Sequence, residues 1–222
     1  TEPFAIAAER LIELLAKYNE QFDQQLPELD LGGGYGIAYL DNESEIHAAD
    51  VLGALANQVK QVCAQYSLDV PKISIEPGRA IVGPSMFTLY SVGTTKVVTL
   101  ENGASRNYVS VDGGMSDNLR TALYGAEYTA IIANRESTAK KIATRIVGKH
   151  CETGDIIIKD IDFPSDVTPG DLLATPATGA YGRSMATNYN HISRPPVVAI
   201  KDGKARVILR RESIEDLLRL DI

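Results

Sequence analysis

Apolar positions repeat at helical spacing in the first part of the chain and at strand spacing in the rest. Ala5, Ala8, Leu11, Ile12, Leu15 and Tyr18 share one face over residues 4–20, the stripe of an amphipathic helix. Val51, Leu52, Leu55, Val59, Val62 and Tyr66 do the same over residues 48–66. A short run, Glu28 to Leu31, lies between the two helices and ends in glycines. A second run, Lys72 to Glu76, follows and is broken by Pro77-Gly78. Strand, helix, strand predicts a parallel crossover unit, with helices covering a parallel sheet.

From Phe87 onward short β-branched runs alternate with turns, at 87–100, 107–112, 126–132, 142–147, 155–160 and 171–175. A final pair, 197–201 and 205–210, flanks Asp202-Gly203, a strong hairpin signal. Only 213–220 predicts a further helix, with Ser213 as its cap and Asp216 at its third position. The expected fold class is therefore α/β plus all-β, with an α/β part over 1–85 and a barrel or sandwich over 86–222. Neither an internal repeat nor a low-complexity segment is evident.

Composition narrows the classes of function. The 222 residues are 44% hydrophobic and 23% charged, an ordinary globular balance. The net charge of −7 comes without a basic stripe, which argues against nucleic acid as a partner. No apolar run reaches the ~18 residues of a membrane helix, and no signal peptide is visible. Cys63 and Cys151 follow no metal or disulfide spacing, and neither do His47, His150 and His191. The expectation is a reduced, cytoplasmic setting without a zinc site. Cys63, on the apolar side of a helix, is assigned to packing.

Several polar elements remain. Gly32-Gly33-Gly34-Tyr35-Gly36 closes the first strand. It is either a phosphate cradle built from glycine N–H groups or an ordinary glycine turn. Its spacing is not that of a Rossmann loop, and no helix starts directly behind it. Glu76-Pro77-Gly78-Arg79 closes the next strand. Its carboxylate could face a cationic ring nitrogen and its guanidinium a carboxylate, or the loop could be a turn with a surface ion pair. Two anion-suited loops at the C-terminal ends of consecutive parallel strands resemble the phosphate site of TIM barrels. Arg120 lies in the acidic, glycine-rich stretch after Asp112-Gly113-Gly114-Met115-Ser116-Asp117-Asn118, where an arginine by itself reads as solvated. Tyr124 and Tyr181 read as core or rim aromatics. Cys151 reads either as a small buried side chain or, beside Glu152 and ahead of Gly154, as a thiol that exchanges a proton in a closed site.

Taken in order, GGGYG, EPGR, DGGMSDN-x-R, Cys-Glu-Thr-Gly-Asp and GAY…YN closely resemble the diaminopimelate decarboxylase family, from about residue 28 to 198. That family belongs to the fold-type III group dependent on pyridoxal 5'-phosphate. The resemblance implies the C-terminal part of a (β/α)8 barrel of the alanine racemase type followed by a β domain. It implies that Gly32, Gly33, Gly34, Gly36, Pro77, Gly78 and Arg79 hold the cofactor phosphate, with Glu76 at the pyridine nitrogen and Tyr181 touching cofactor and substrate. Arg79, Arg120 and Tyr124 would bind substrate carboxylates and Glu152 the distal amine. Cys151 would return a proton to the substrate carbon. A homodimer with composite sites is implied, Cys151 and Glu152 reaching into the partner's site.

Some positions depart from the family pattern. Thr121 stands where proline is usual, Thr153 replaces a serine, and Arg183 has no explanation. No lysine has the Tyr-x-x-Lys-Ala-type context of the Schiff-base lysine. A barrel needs ~250 residues, so the expectation is a chain that lacks the N-terminal part of the barrel and is inactive alone. The implied reaction is decarboxylation of meso-2,6-diaminopimelate to L-lysine. Two alternatives stay open: a decarboxylase of arginine, ornithine or carboxynorspermidine, and a non-catalytic relative that binds a partner protein.

Overall fold

The computed structural model describes residues 2–44 and 48–222, so His47 lies outside the described residues. The chain divides into two units, Thr1–Ala38 with Asn42–Gly83, and Tyr39–Asp41 with Pro84–Ile222.

In the first unit, α1 (Glu2–Phe22) buries Ala8, Ile12 and Leu15, and α2 (Ala48–Gln65) buries Leu55, Val59, Val62 and Cys63. With Leu29, Leu31 and Leu68 these side chains form one core. Leu52 and Tyr66, expected on the same face of α2, are exposed, so the buried stripe is narrower than the sequence suggests. β1 (Glu28–Asp30) and β2 (Lys72–Ser74) pair in parallel, Leu29 opposite Ile73. Both end earlier than expected. The Leu31 N–H still donates to the Ser74 carbonyl at 2.9 Å, but Gly32 (φ 71°) then turns the chain out of the ladder. A single helical turn, α3 (Gly78–Val82), follows β2.

The second unit is built on a six-stranded sheet. Its strands are β3 (Phe87–Thr99), β4 (Ser105–Val111), β5 (Ile131–Ile132), β6 (Lys141–Val147), β7 (Ile156–Pro164) and β8 (Leu172–Pro176), in the order β5-β8-β3-β4-β6-β7. All neighbours are antiparallel except β4 and β6. β3 is shared: Phe87 to Ser91 pair with β8, and Val92 onward pairs with β4. The switch coincides with a bulge between Val92 and Thr95, where the Ser110 hydroxyl accepts from the Thr94 N–H at 2.9 Å and donates to its carbonyl at 3.2 Å. Such a bulge bends a strand and increases its twist. Tyr90, Val92, Val109, Val111, Tyr128, Ile146, Ile157, Phe163 and Leu173 make the core.

Three expectations change. The run 126–132 yields only Ile131–Ile132 as strand, because β8 offers partners to those two residues alone, Ala174 and Leu173. The stretch read as a loop before Tyr124 contains one helical turn, α4 (Arg120–Tyr124), closed by Gly125 at φ 63°. A second such turn, α5 (Gly182–Met185), starts behind Tyr181. The helix expected over 213–220 is one turn, α6 (Ile214–Leu217). Its capping box forms, with the Ser213 N–H donating to Asp216 at 2.8 Å and the Asp216 N–H to the Ser213 hydroxyl at 3.3 Å. Leu218 and Leu220 beyond it are exposed, and a helix without packing does not propagate. β9 (Val197–Lys201) and β10 (Lys204–Leu209) form the expected hairpin over Asp202-Gly203, both at positive φ. β10 is exposed throughout.

Candidate functional site

The two glycine-bearing loops of the first unit run side by side. The Glu76 N–H donates to the Gly32 carbonyl at 2.9 Å, and the Gly32 N–H to Asp30 Oδ1 at 2.8 Å. Gly34 sits at φ 95°, a left-handed value that glycine adopts without strain. At Gly33 a Cβ would lie 2.4 Å from the Glu76 carbonyl oxygen, so only glycine lets the loops approach this closely. Arg79 closes the assembly, donating from Nε to the Tyr35 carbonyl (3.1 Å) and from Nη2 to that of Gly34 (3.2 Å). Tyr35 is buried and stacked on Phe4 at 4.7 Å, and its hydroxyl has no hydrogen-bond partner among the described residues. This unit therefore brings Gly32 to Gly36 together with Glu76, Pro77, Gly78 and Arg79. Its backbone turns and its unpaired buried hydroxyl suit a small anionic group.

In the second unit the stretch 112–118 is pinned to β3. The Asp112 carboxylate accepts from the Ser91 N–H (2.8 Å), and Asp117 accepts from the Tyr90 hydroxyl (2.8 Å) and the Gly114 N–H (3.0 Å). Burial pushes the Asp117 carboxyl up to about 6, against the lowering effect of both bonds. Arg120 follows at the start of α4 and is buried, not solvated. Its Nη1 donates to the Tyr128 hydroxyl at 2.7 Å. Its guanidinium carbon lies 4.9, 5.8 and 5.9 Å from the rings of Tyr39, Tyr128 and Tyr181. Burial opposes the charge, but the Tyr128 and Tyr39 hydroxyls outweigh it and hold the guanidinium above its ordinary range. Among the described residues no carboxylate pairs with this cation. A buried cation ringed by phenols and lacking an anion is prepared to receive one.

Tyr181 joins Arg120 from a left-handed position (φ 66°) and is half exposed, whereas Tyr124 is 67% exposed at the end of α4. Cys151 and Glu152 lie on the turn between β6 and β7. Cys151 is exposed, which excludes the alternative of a small buried side chain, while Cys63 is buried as expected. Glu152 accepts a hydrogen bond from the Tyr189 hydroxyl, and that bond pushes the phenol up. Tyr189 stacks on buried His150 at 5.5 Å, and His150 Nε2 bonds the Ser116 hydroxyl at 2.9 Å. An apolar cavity of about 390 Å³ adjoins this cluster, lined by Met115, Leu119, Thr187 and Tyr189.

A larger cavity, about 570 Å³, is lined by Arg183, His191, Arg194, Arg210 and Arg219 among others. Arg194 and Arg210 in its wall are already paired with Glu212 and Asp216. The Arg183 Nε is sealed off without a partner, and nothing in the structure explains it. Among the described residues no group of three His, Cys, Asp or Glu side chains could hold a metal, and no helix is long and apolar enough to cross a membrane.

Sequence reasoning missed Tyr39 and Tyr128 around Arg120 and the link from Tyr189 to Glu152. One signal was available: ten tyrosines against four phenylalanines and no tryptophan, a bias towards rings with a hydroxyl.

Two family models match the chain in succession. The pyridoxal-dependent decarboxylase pyridoxal-binding domain matches residues 1–83, and the C-terminal sheet domain of the same enzymes matches 85–179. The diaminopimelate decarboxylase of Corynebacterium efficiens is 47% identical over 219 residues, 99% of this chain and 48% of that protein. That of Mycobacterium tuberculosis strain H37Rv is 48% identical over 223 residues, covering 99% of this chain and 50% of its own length. The crystal structure of diaminopimelate decarboxylase from Helicobacter pylori complexed with L-lysine superposes with a TM-score of 0.81 at 33% identity, over 99% of this chain and 50% of that one. The chain thus spans about half the length of the curated relatives it matches.

Proposed function

This chain belongs to the pyridoxal-dependent decarboxylase family, and we propose that the protein of which it forms part converts meso-2,6-diaminopimelate to L-lysine, the last step of lysine biosynthesis. The observation that carries the substrate class is Arg120, a buried cation with no carboxylate partner among the described residues. Ornithine carries a single carboxylate, the one that leaves. Diaminopimelate carries a second one that stays, and it offers the buried guanidinium a permanent partner.

Pyridoxal 5'-phosphate is the cofactor in this reading, and the first unit's residues fit it. The turns at Gly32 to Gly36 and at Pro77-Gly78, with Arg79 behind them, would hold the phosphate, and Glu76 the pyridine nitrogen. When bound, the cofactor accepts the electron pair left on the substrate carbon by departing carbon dioxide. Arg120, with Arg79 and Tyr124, binds carboxylate. Glu152, oriented by Tyr189, reads the distal amine. Tyr181 borders cofactor and substrate. The exposed Cys151 thiol returns a proton to the carbon that lost its carboxylate, so the product differs from the substrate by one proton for one carbon dioxide. The parts are the C-terminal part of the pyridoxal-binding barrel over 1–85 and a β domain over 86–222. They work in a cytoplasmic homodimer with composite sites.

The test is carbon dioxide release from meso-diaminopimelate, ornithine and arginine by the full-length protein, beside the 222-residue chain alone. Release from diaminopimelate only by the full-length protein, with a strong loss in Glu152→Ala, is expected. Preferential turnover of ornithine or arginine would overturn the assignment, and steady turnover by the isolated chain would overturn the expectation that it is inactive alone.

A further inference from the structure

The turn that carries Cys151 and Glu152 and the stretch that leads into Arg120 are tied together by one buried side chain. Asp155 closes the turn and is 3% exposed. Its Oδ1 accepts from the Met115 N–H and its Oδ2 from the His150 N–H, both at 2.6 Å. Met115 belongs to the arginine-bearing stretch and His150 directly precedes Cys151, so each oxygen holds a different segment. Such N–H bonds to a carboxylate are of the strong, charge-assisted kind.

The surrounding residues make room for this carboxylate. A Cβ on Gly148 would lie 2.2 Å from it, and a Cβ on Gly114 2.7 Å. One glycine stands on each segment, and each leaves the space that Asp155 fills. The Gly148 N–H donates to the Asp155 carbonyl (2.9 Å) and the Lys149 N–H to that of Gly113 (3.0 Å), completing a frame of backbone bonds.

We infer that Asp155 is a positioning residue that locks the thiol- and acid-bearing turn to the arginine-bearing stretch, so that Arg120, which serves this chain's own site, and Cys151 and Glu152, which reach into the partner's site, are held in one rigid frame. For the roles of those three residues this rests on the function proposed above; the mechanical coupling does not. A site held by packed second contacts keeps its reacting groups within the small tolerance that catalysis needs. Asp155 itself touches no substrate in this account. It acts through the groups it holds.

Hydrogen exchange tests the coupling on the unaltered chain. The Met115 and His150 amides lose protection in one event, so their protection factors should agree within about threefold, and a difference above tenfold overturns the lock. Asp155→Asn preserves shape but turns an amide NH2 towards one of the two donors. Exchange at both amides should then speed up at least tenfold while β3 and β8 keep their protection. Loosening of one segment alone overturns the inference. In the full-length enzyme, Asp155→Asn should lower kcat at least tenfold when Cys151 is present and less than threefold in a Cys151→Ala background, because its effect passes through the thiol. Equal losses in both backgrounds would mean a merely structural role. Absence of decarboxylation in the full-length protein would sink the proposed function and leave the exchange result to decide on the lock.

Discussion

Replacing Arg120 with methionine should separate binding from folding. Four contacts are lost. The bond from Nη1 to the Tyr128 hydroxyl, 2.7 Å, is one to a charged donor and contributes about 1.5–3 kcal/mol. The three rings at 4.9, 5.8 and 5.9 Å contribute roughly 0.5–2 kcal/mol each, with the lower figure fitting the two distant ones. Against this stands the desolvation of a buried guanidinium, several kcal/mol, which no carboxylate among the described residues offsets. Methionine fills much of the space and its sulfur packs on aromatic rings, recovering about 0.3–1.5 kcal/mol. The sum leaves stability within about 2 kcal/mol of the parent, so the melting temperature should move by less than about 8 °C.

Binding should behave differently. A ligand carboxylate that loses its buried guanidinium loses about 3–5 kcal/mol, roughly two to three and a half powers of ten in affinity. L-lysine, the proposed product, retains the carboxylate that Arg120 would hold, and its titration into the full-length protein measures that loss directly. Arg120→Lys, which keeps the charge without the fork, should fall between. Destabilisation above about 4 kcal/mol with unchanged lysine affinity would show that Arg120 is a core strut, and the argument for a carboxylate partner would be lost.

The elements that could be read from the sequence are those whose signal is local. Ala8, Ile12 and Leu15 lie on a helical repeat, and their burial follows from it. Asp202-Gly203 specifies its hairpin through two residues that accept positive φ. The parallel pairing of β4 with β6 and the switch of β3 between two partners depend on contacts distant in sequence, and no run of residues announces them. The α4 turn is five residues long, too short for a periodic signal. For the site, the motifs mark Arg120, Cys151 and Glu152, but not their surroundings. Tyr39 reaches Arg120 from the far side of α2 in the sequence, and its ring looks like any other core aromatic until the fold closes. Burial of Arg120 was equally hidden, since a polar glycine-rich stretch reads as solvent-facing unless its Asp117 and Asp112 carboxylates are known to bond β3.

Other substitutions test other parts of this account. Gly33→Ala drives a Cβ to 2.4 Å from the Glu76 carbonyl oxygen, where only backbone can give way; a strain of about 1–3 kcal/mol and at least a tenfold loss of cofactor affinity in an absorbance titration are expected. Arg135→Leu leaves Asp171, 3% exposed and now bonded twice at 2.7 Å, without its cation, and the midpoint of urea denaturation should fall clearly below that of the parent. Tyr189→Phe removes the hydroxyl that orients Glu152 and should raise KM about 3–10-fold with kcat nearly unchanged. The last prediction concerns pH. Asp117 titrates near 6 in the folded chain, above its ordinary 3.8, because burial opposes its charge. Between those values the folded state holds a proton that the unfolded state has released, so stability falls as pH rises through the window and levels off above it. At about 1.4 kcal/mol per unit the step has a ceiling of about 3 kcal/mol. Asp171 and Asp216 are held below their ordinary range, chiefly by bonds from Arg135 and Arg210, and weaken the fold only at more acid pH. Asp117→Asn removes the titrating group, so the stability difference between parent and variant, measured in urea at pH 4, 5, 6 and 7, should shift in the variant's favour as pH rises to about 6. A difference that stays constant across that range would mean that Asp117 is solvated and that the stretch leading to Arg120 is not held by a buried acid.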